Sequence, residues 1–244
     1  MAGHSKWKNI RTRKGKQDAR RSSLFTKLAR EMIVAAKNGG LDPDMNARLR
    51  LAIAKAKANS MPNEAIKRAI EKAGGGGEGE HLEEITYEGY GPGGVAVMVK
   101  CLTGNRNRTV SDLRHAFSKE GGNLAENGSV SWQFKQRGEI LVPAEGVDEE
   151  ALTLLALDAG ADDVEQGDGA FTIVTPVEEL HTVQDALTKE GYPVQEADLA
   201  MHPTIKVKIG REDAARLLRL LERLDELEDG QETYFNTDLP EDLE

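Results

Sequence analysis

The chain has 244 residues, 39% of them hydrophobic and 30% charged, a balance that allows two or three modest cores in a soluble globular protein. No apolar run approaches the ~18 residues that cross a bilayer, the start is too polar and basic for a secretory signal, and the single cysteine, Cys101, excludes an intrachain disulfide, so a cytoplasmic protein is expected. The net charge of −10 is unevenly placed: Met1 to Lys72 carries 18 Lys or Arg against 6 Asp or Glu, and the rest of the chain carries 14 against 36.

The first thirty residues hold ten Lys or Arg and one acid, Asp18. A basic arm on an acidic protein suits capture of a polyanion, because each phosphate neutralised by Lys or Arg releases condensed counterions. Trp7, between Lys6 and Lys8, offers a flat apolar face that can stack on an unpaired base. Arg11, Arg13, Lys14, Lys16, Arg20 and Lys27 complete the candidate contact set of the arm. The competing reading is a solvated tail with Trp7 packed against the body.

From Gln17 to Lys37 the spacing of Leu24, Leu28 and Met32, flanked by Phe25, Ala29, Ile33 and Ala36, predicts a helix, which Asn38-Gly39-Gly40 ends. Asp42-Pro43 is read as the start of a second helix reaching Asn59, and Pro62 as the start of a third reaching Ala73. These give a small helical bundle, to which Arg48, Arg50, Lys55, Lys57, Lys67 and Arg68 add positive charge. Arg50 and Lys57, seven apart on one helical face, are taken as a continuation of the binding surface. Gly74 to Gly79 is a glycine linker that lacks the Gly-Lys-Ser/Thr ending of a phosphate loop.

Beyond the linker, Glu84–Tyr90 and Val95–Leu102 read as strands joined by GYGPGG, Arg106–Glu120 as a helix and Ser129–Phe134 as a strand. Strand Glu139–Val142, helix Asp148–Ala159, strands Asp163–Gln166 and Ala170–Thr175, helix Val177–Glu190 and strand Val194–Leu199 follow in the βαββαβ, ferredoxin-like order. Thr204–Ile209, helix Arg211–Glu228 and Thr233–Asn236 then add a βαβ unit. The expected fold is therefore α/β: residues 1–80 as arm, bundle and linker, 81–136 with 204–244 as a discontinuous ferredoxin-like domain, and 137–203 as a second one inserted into it.

No catalytic constellation is visible. The five histidines are scattered without metal-ligand spacing, no GxSxG or HExxH motif occurs, and Cys101 lies in the apolar run VAVMVKCL where a buried thiol is expected. No metal, cofactor or enzyme activity is expected. Gly104 to Thr109, GNRNRT, stands between a strand and the helix it feeds; there Arg106 and Arg108 could offer bidentate donors to phosphate beside free backbone N–H groups. The alternative is ordinary capping by Asn105 or Asn107, with the arginines solvated.

Several of these segments together carry a resemblance. AGHSKWKNI at Ala2 to Ile10, Phe25-Thr26-Lys27-Leu28, NARLRLAI at Asn46 to Ile53 with Met61-Pro62, TYEGYGPGGVAV at Thr86 to Val97, NRNRT at Asn105 to Thr109 and GGNLAENGSVSWQF at Gly121 to Phe134 resemble the signatures of the YebC family, in that family's order. The likeness is specific over the first 135 residues and looser beyond. Gly104 stands where the family often has an acid, which makes this locus more positive. The resemblance implies three domains and a DNA-binding regulator of transcription. It also implies a second possibility, a translation factor that binds ribosomal RNA or tRNA at the ribosome and relieves stalling at proline-rich stretches, since mitochondrial members activate translation of a cytochrome oxidase subunit. A third class, an acidic protein-interaction adaptor, stays open on fold grounds. Without a dimerising seam or a recognition helix, a monomer is expected.

Overall fold

The computed structural model describes residues 18–74, 82–167 and 169–239, with side chains from residue 22 onward. Among the described residues three helices come first: α1 (Asp18–Gly39), α2 (Ala47–Ala58) and α3 (Asn63–Gly74). They bury Leu28, Met32, Leu49, Ala52, Ile66 and Ala69 as one core, the stripes expected from the 3.6-residue period. Gly40, at φ +91°, closes α1 in the left-handed region. The second helix starts later than Asp42-Pro43, because Asn46 is the better cap. Its Oδ1 accepts from Leu49 N at 3.0 Å, while its amide donates to Ala35 O and Gly40 O at 2.8 Å each, tying the start of α2 to the end of α1.

The rest of the described residues form two four-stranded antiparallel sheets with helices packed on them, an α/β architecture behind an N-terminal bundle. The first sheet is built from β1 (Glu83–Tyr90), β2 (Ala96–Thr103), β3 (Asn123–Ala125) and β8 (Gly230–Phe235), in the order β3-β1-β2-β8. The short turn around Pro92 makes β1 and β2 neighbours. Helices α4 (Arg106–Lys119) and α7 (Arg211–Glu226) cover one face through Leu113, Phe117, Leu217 and Leu221. The second sheet, β4 (Phe134–Pro143), β5 (Asp163–Gly167), β6 (Ala170–Thr175) and β7 (Glu196–Pro203), has the order β5-β6-β4-β7, with α5 (Glu149–Asp158) and α6 (Leu180–Lys189) as crossovers. That is the ferredoxin-like order. Strand β2 is buried on both faces because Ala96 and Met98, opposite the helix side, pack on Val130, Phe134 and Ala200 and so join the two sheets.

Two expected strands take other forms. Ser129–Gln133 is a loop with a 3₁₀ turn at Ser131–Gln133, and only Phe134 is in a strand, as the first residue of β4, because the Glu88 carboxylate gathers the N–H groups of Gly128, Val130 and Ser131 at 2.7–2.9 Å. The third strand of the first sheet is instead Asn123–Ala125. Thr204–Ile209 runs without a ladder and is held by isolated bonds, Thr204 N to Gln133 O and Val207 N to Asn236 O, both 2.8 Å.

Candidate nucleic-acid interface

Helix α2 shows how the basic residues are divided. At about 100° per residue, Arg48 and Lys55 fall on one face, and Arg50 and Lys57, each two residues further on, lie about 200° around from them. Arg48 contacts Glu84 of β1 at 2.5 Å and Glu31 at 2.9 Å. Lys55 sits among Glu232 at 3.0 Å, Asp198 at 3.4 Å and Glu196 at 3.5 Å, acids from both sheets. The attraction of Glu232, with that of Glu196 and Asp198, outweighs burial and holds the Lys55 ammonium well above its ordinary pKa. One face of α2 thus docks the bundle onto the acidic body. The opposite face, with Arg50 and Lys57, is exposed. Arg50 Nη1 also donates to Pro43 O at 3.1 Å and Asp44 O at 3.2 Å, bracing the loop before the helix.

The same division appears on α1. Lys27 is buried and donates to Asp225 O, with its Nζ 3.4 Å from Asp225 Oδ1. Arg30, also buried, reaches Asp229 Oδ1 at 2.8 Å and the Glu228 carbonyl at 2.9 Å. Lys27 therefore joins the bundle to the end of α7 rather than facing solvent, which removes it from the contact set expected of it. Lys6, Trp7, Lys8, Arg11, Arg13, Lys14 and Lys16 lie outside the described residues. Arg20 is on the first turn of α1, and its side chain lies outside them as well.

The GNRNRT segment meets the same acidic loop. Asn105 caps α4, accepting from Arg108 N at 3.1 Å, and Thr103 Oγ1 accepts from Asn105 N at 2.9 Å. Arg106 Nε donates to Glu83 at 2.6 Å, and Arg108 Nη2 spans both oxygens of Asp229 at 2.9 and 3.0 Å. Thr109 Oγ1 adds a third donor to Asp229 at 2.8 Å. Burial pushes the Asp229 carboxyl up, but the bonds from Thr109, Arg108 and Arg30 more than offset this and hold it below its ordinary pKa. Both arginines thus engage carboxylates, while the side chain of Arg106 stays 68% exposed and that of Arg108 48% exposed.

The acids that receive these cations carry no local signature in the sequence. The segmental charge imbalance was the one sequence signal for them, since a strongly basic bundle beside a strongly acidic body attracts it. Cys101 is buried in the core of the first sheet, where burial first and Asp229 second push its thiol up to about 12. Among the described residues no cluster of His, Cys, Asp and Glu is arranged to hold a metal, and no helix is long and apolar enough to cross a membrane.

Residues 5–76 match the family model for the TACO1/YebC protein N-terminal domain, and residues 82–237 that for the TACO1/YebC second and third domain. A probable transcriptional regulatory protein of Clostridium novyi is 49% identical over 245 aligned residues, 100% of both chains. One of Geobacillus kaustophilus is 51% identical over 240, covering 98% of each. The crystal structure of a conserved hypothetical protein from Aquifex aeolicus superposes with a TM-score of 0.86 at 48% identity over 93% of each chain. The chain belongs to the TACO1/YebC family.

Proposed function

We propose that this protein is a non-enzymatic, nucleic-acid-binding regulator of gene expression that contacts phosphate through its N-terminal arm and the outward face of its bundle. The observation that carries the reading is the two-faced charge of α2. Arg48 and Lys55 are taken up by the acidic body, and Arg50 and Lys57, about 200° away, point a second pair of cations at solvent on the bundle that bears the arm. Six more Lys or Arg lie between Met1 and Gln17. The acidic sheets behind the bundle repel a phosphate backbone and so orient the molecule on it. Relatives named as transcriptional regulators support DNA as the target. Trp7, set between lysines, favours the second reading, a translation factor on ribosomal RNA or tRNA.

Fluorescence anisotropy with a DNA duplex and an RNA of equal length, titrated across salt, tests the reading. Deleting residues 2–16 should lower the log-log salt slope on the duplex by about five, and R50Q/K57Q by about two. Unchanged slopes would refute it. Sedimentation of lysate with and without RNase then separates the two targets: migration with ribosomal particles that RNase abolishes assigns the protein to translation.

A further inference from the structure

Helices α1 and α3 do not close against each other along their whole length. The facing positions are Phe25, Ala29 and Ile33 on α1 and Ala65 and Ala69 on α3, with Leu82 just beyond. Three alanines among these six cannot fill the space between two helices, and a groove of ≈ 740 Å³ is left, a volume in the range of small-ligand sites. Its apolar lining includes Phe25, Ile33 and Met61.

The rim has one dominant sign. Lys37, Arg68 and Lys72 border the groove and are exposed, and Arg68 and Lys72, four apart, sit one above the other on α3. The bordering acid, Glu228, is engaged by Arg30 at 2.5 Å. Ser22 and Thr26 line the end nearest the N-terminus of α1, where the basic arm joins the helix. The groove therefore combines exposed cations on its rim with an apolar slot. In a duplex the base faces are stacked against one another; in a single strand a base can be splayed out, its flat face against an apolar wall and its phosphates on the rim.

We propose that the groove between α1 and α3 receives an unpaired base of a single-stranded nucleic acid, with flanking phosphates on Arg68, Lys72 and Lys37. The inference rests on the nucleic-acid reading above and narrows it to unpaired strands. Ala65 is half-buried on the groove wall, so Ala65→Leu fills the slot without altering any charge.

Three fluorescein-labelled probes test it: an oligouridylate, the same backbone with abasic sites, and a duplex of equal length. The full chain should bind the oligouridylate about tenfold more tightly than the abasic strand, the size of one stacked base. A65L should abolish that preference and leave the salt slope unchanged. R68Q/K72Q, at two exposed positions, should lower the slope on the single strand by about 1.4. If the unmodified chain binds oligouridylate and abasic strand equally, or if A65L keeps the preference, the groove is no base site and is left to an apolar protein segment. An unchanged slope in R68Q/K72Q would equally overturn the phosphate assignment. Failure of the underlying reading looks different, with none of the three probes bound.

Discussion

Asp229→Asn is the substitution that tests the joint between bundle and body most directly. Asp229 is 4% exposed and collects Arg30 from α1, Arg108 and Thr109 from α4, and Thr103 Oγ1 at 3.3 Å. Breaking a buried, hydrogen-bonded ion pair by removing one partner costs about 3–5 kcal/mol, because the other charge is left uncompensated. Here Arg30 keeps Glu228, and Arg108 is half-exposed, so the lower end, about 3 kcal/mol, is expected. The pH dependence follows from the direction of the shift. A carboxyl whose pKa is lower folded than unfolded contributes fully above its unfolded value, near 4, and that contribution disappears as pH falls through the folded value. The stability gap between the native chain and D229N should thus be full at neutral pH and narrow below about pH 4. Urea unfolding followed by circular dichroism at each pH measures it. A gap under about 1 kcal/mol at neutral pH, or one that stays constant into acid, would refute the assignment of Asp229 as the charge that joins the two parts.

Lys55→Gln should cost about 2 kcal/mol at neutral pH; since the folded ammonium has a raised pKa, that advantage persists through the ordinary lysine range and is lost only as pH rises through the folded value, which urea melts in alkaline buffer will show. Glu88→Gln should leave the second sheet intact but loosen the loop it organises, seen as faster amide exchange at Gly128, Val130 and Ser131. Gly89→Ala should lower stability by about 2 kcal/mol in thermal or urea unfolding. A Cβ there would lie 2.7 Å from both Asn123 O and the Phe117 ring. Cys101 should resist a thiol reagent in the native protein and react after unfolding, as its thiol is buried and pushed up to about 12.

Elements with a clear period were readable from the residues: the stripe of α1, the hairpin around Pro92, and the βαββαβ run that forms the second sheet. What failed were segments decided by a distant side chain. Ser129 to Phe134 has the alternation of a strand, but the Glu88 carboxylate, 40 to 43 residues earlier, claims its backbone donors. Asp42-Pro43 has the local form of a helix start, but Asn46 wins because its amide also satisfies two carbonyls at the end of α1. No local pattern can report either competition.

The interface was limited in the same way, and α2 shows why. Both cation pairs, Arg48 with Lys55 and Arg50 with Lys57, have the same seven-residue spacing, so periodicity finds two charged faces and cannot rank them. The ranking comes from acids 36 to 177 residues away in the chain, Glu84 opposite Arg48, and Asp198 and Glu232 opposite Lys55. A count of Lys and Arg therefore overstates the positive surface, since Lys27, Arg30, Arg48 and Lys55 are neutralised within the molecule. On the function proposed above, the field that reaches a polyanion would come from the arm together with the exposed cations of α2 and α3, Arg50, Lys57, Arg68 and Lys72. Salt dependence should accordingly be insensitive to Lys55→Gln and sensitive to Lys57→Gln, although the two residues are neighbours but one on the same helix.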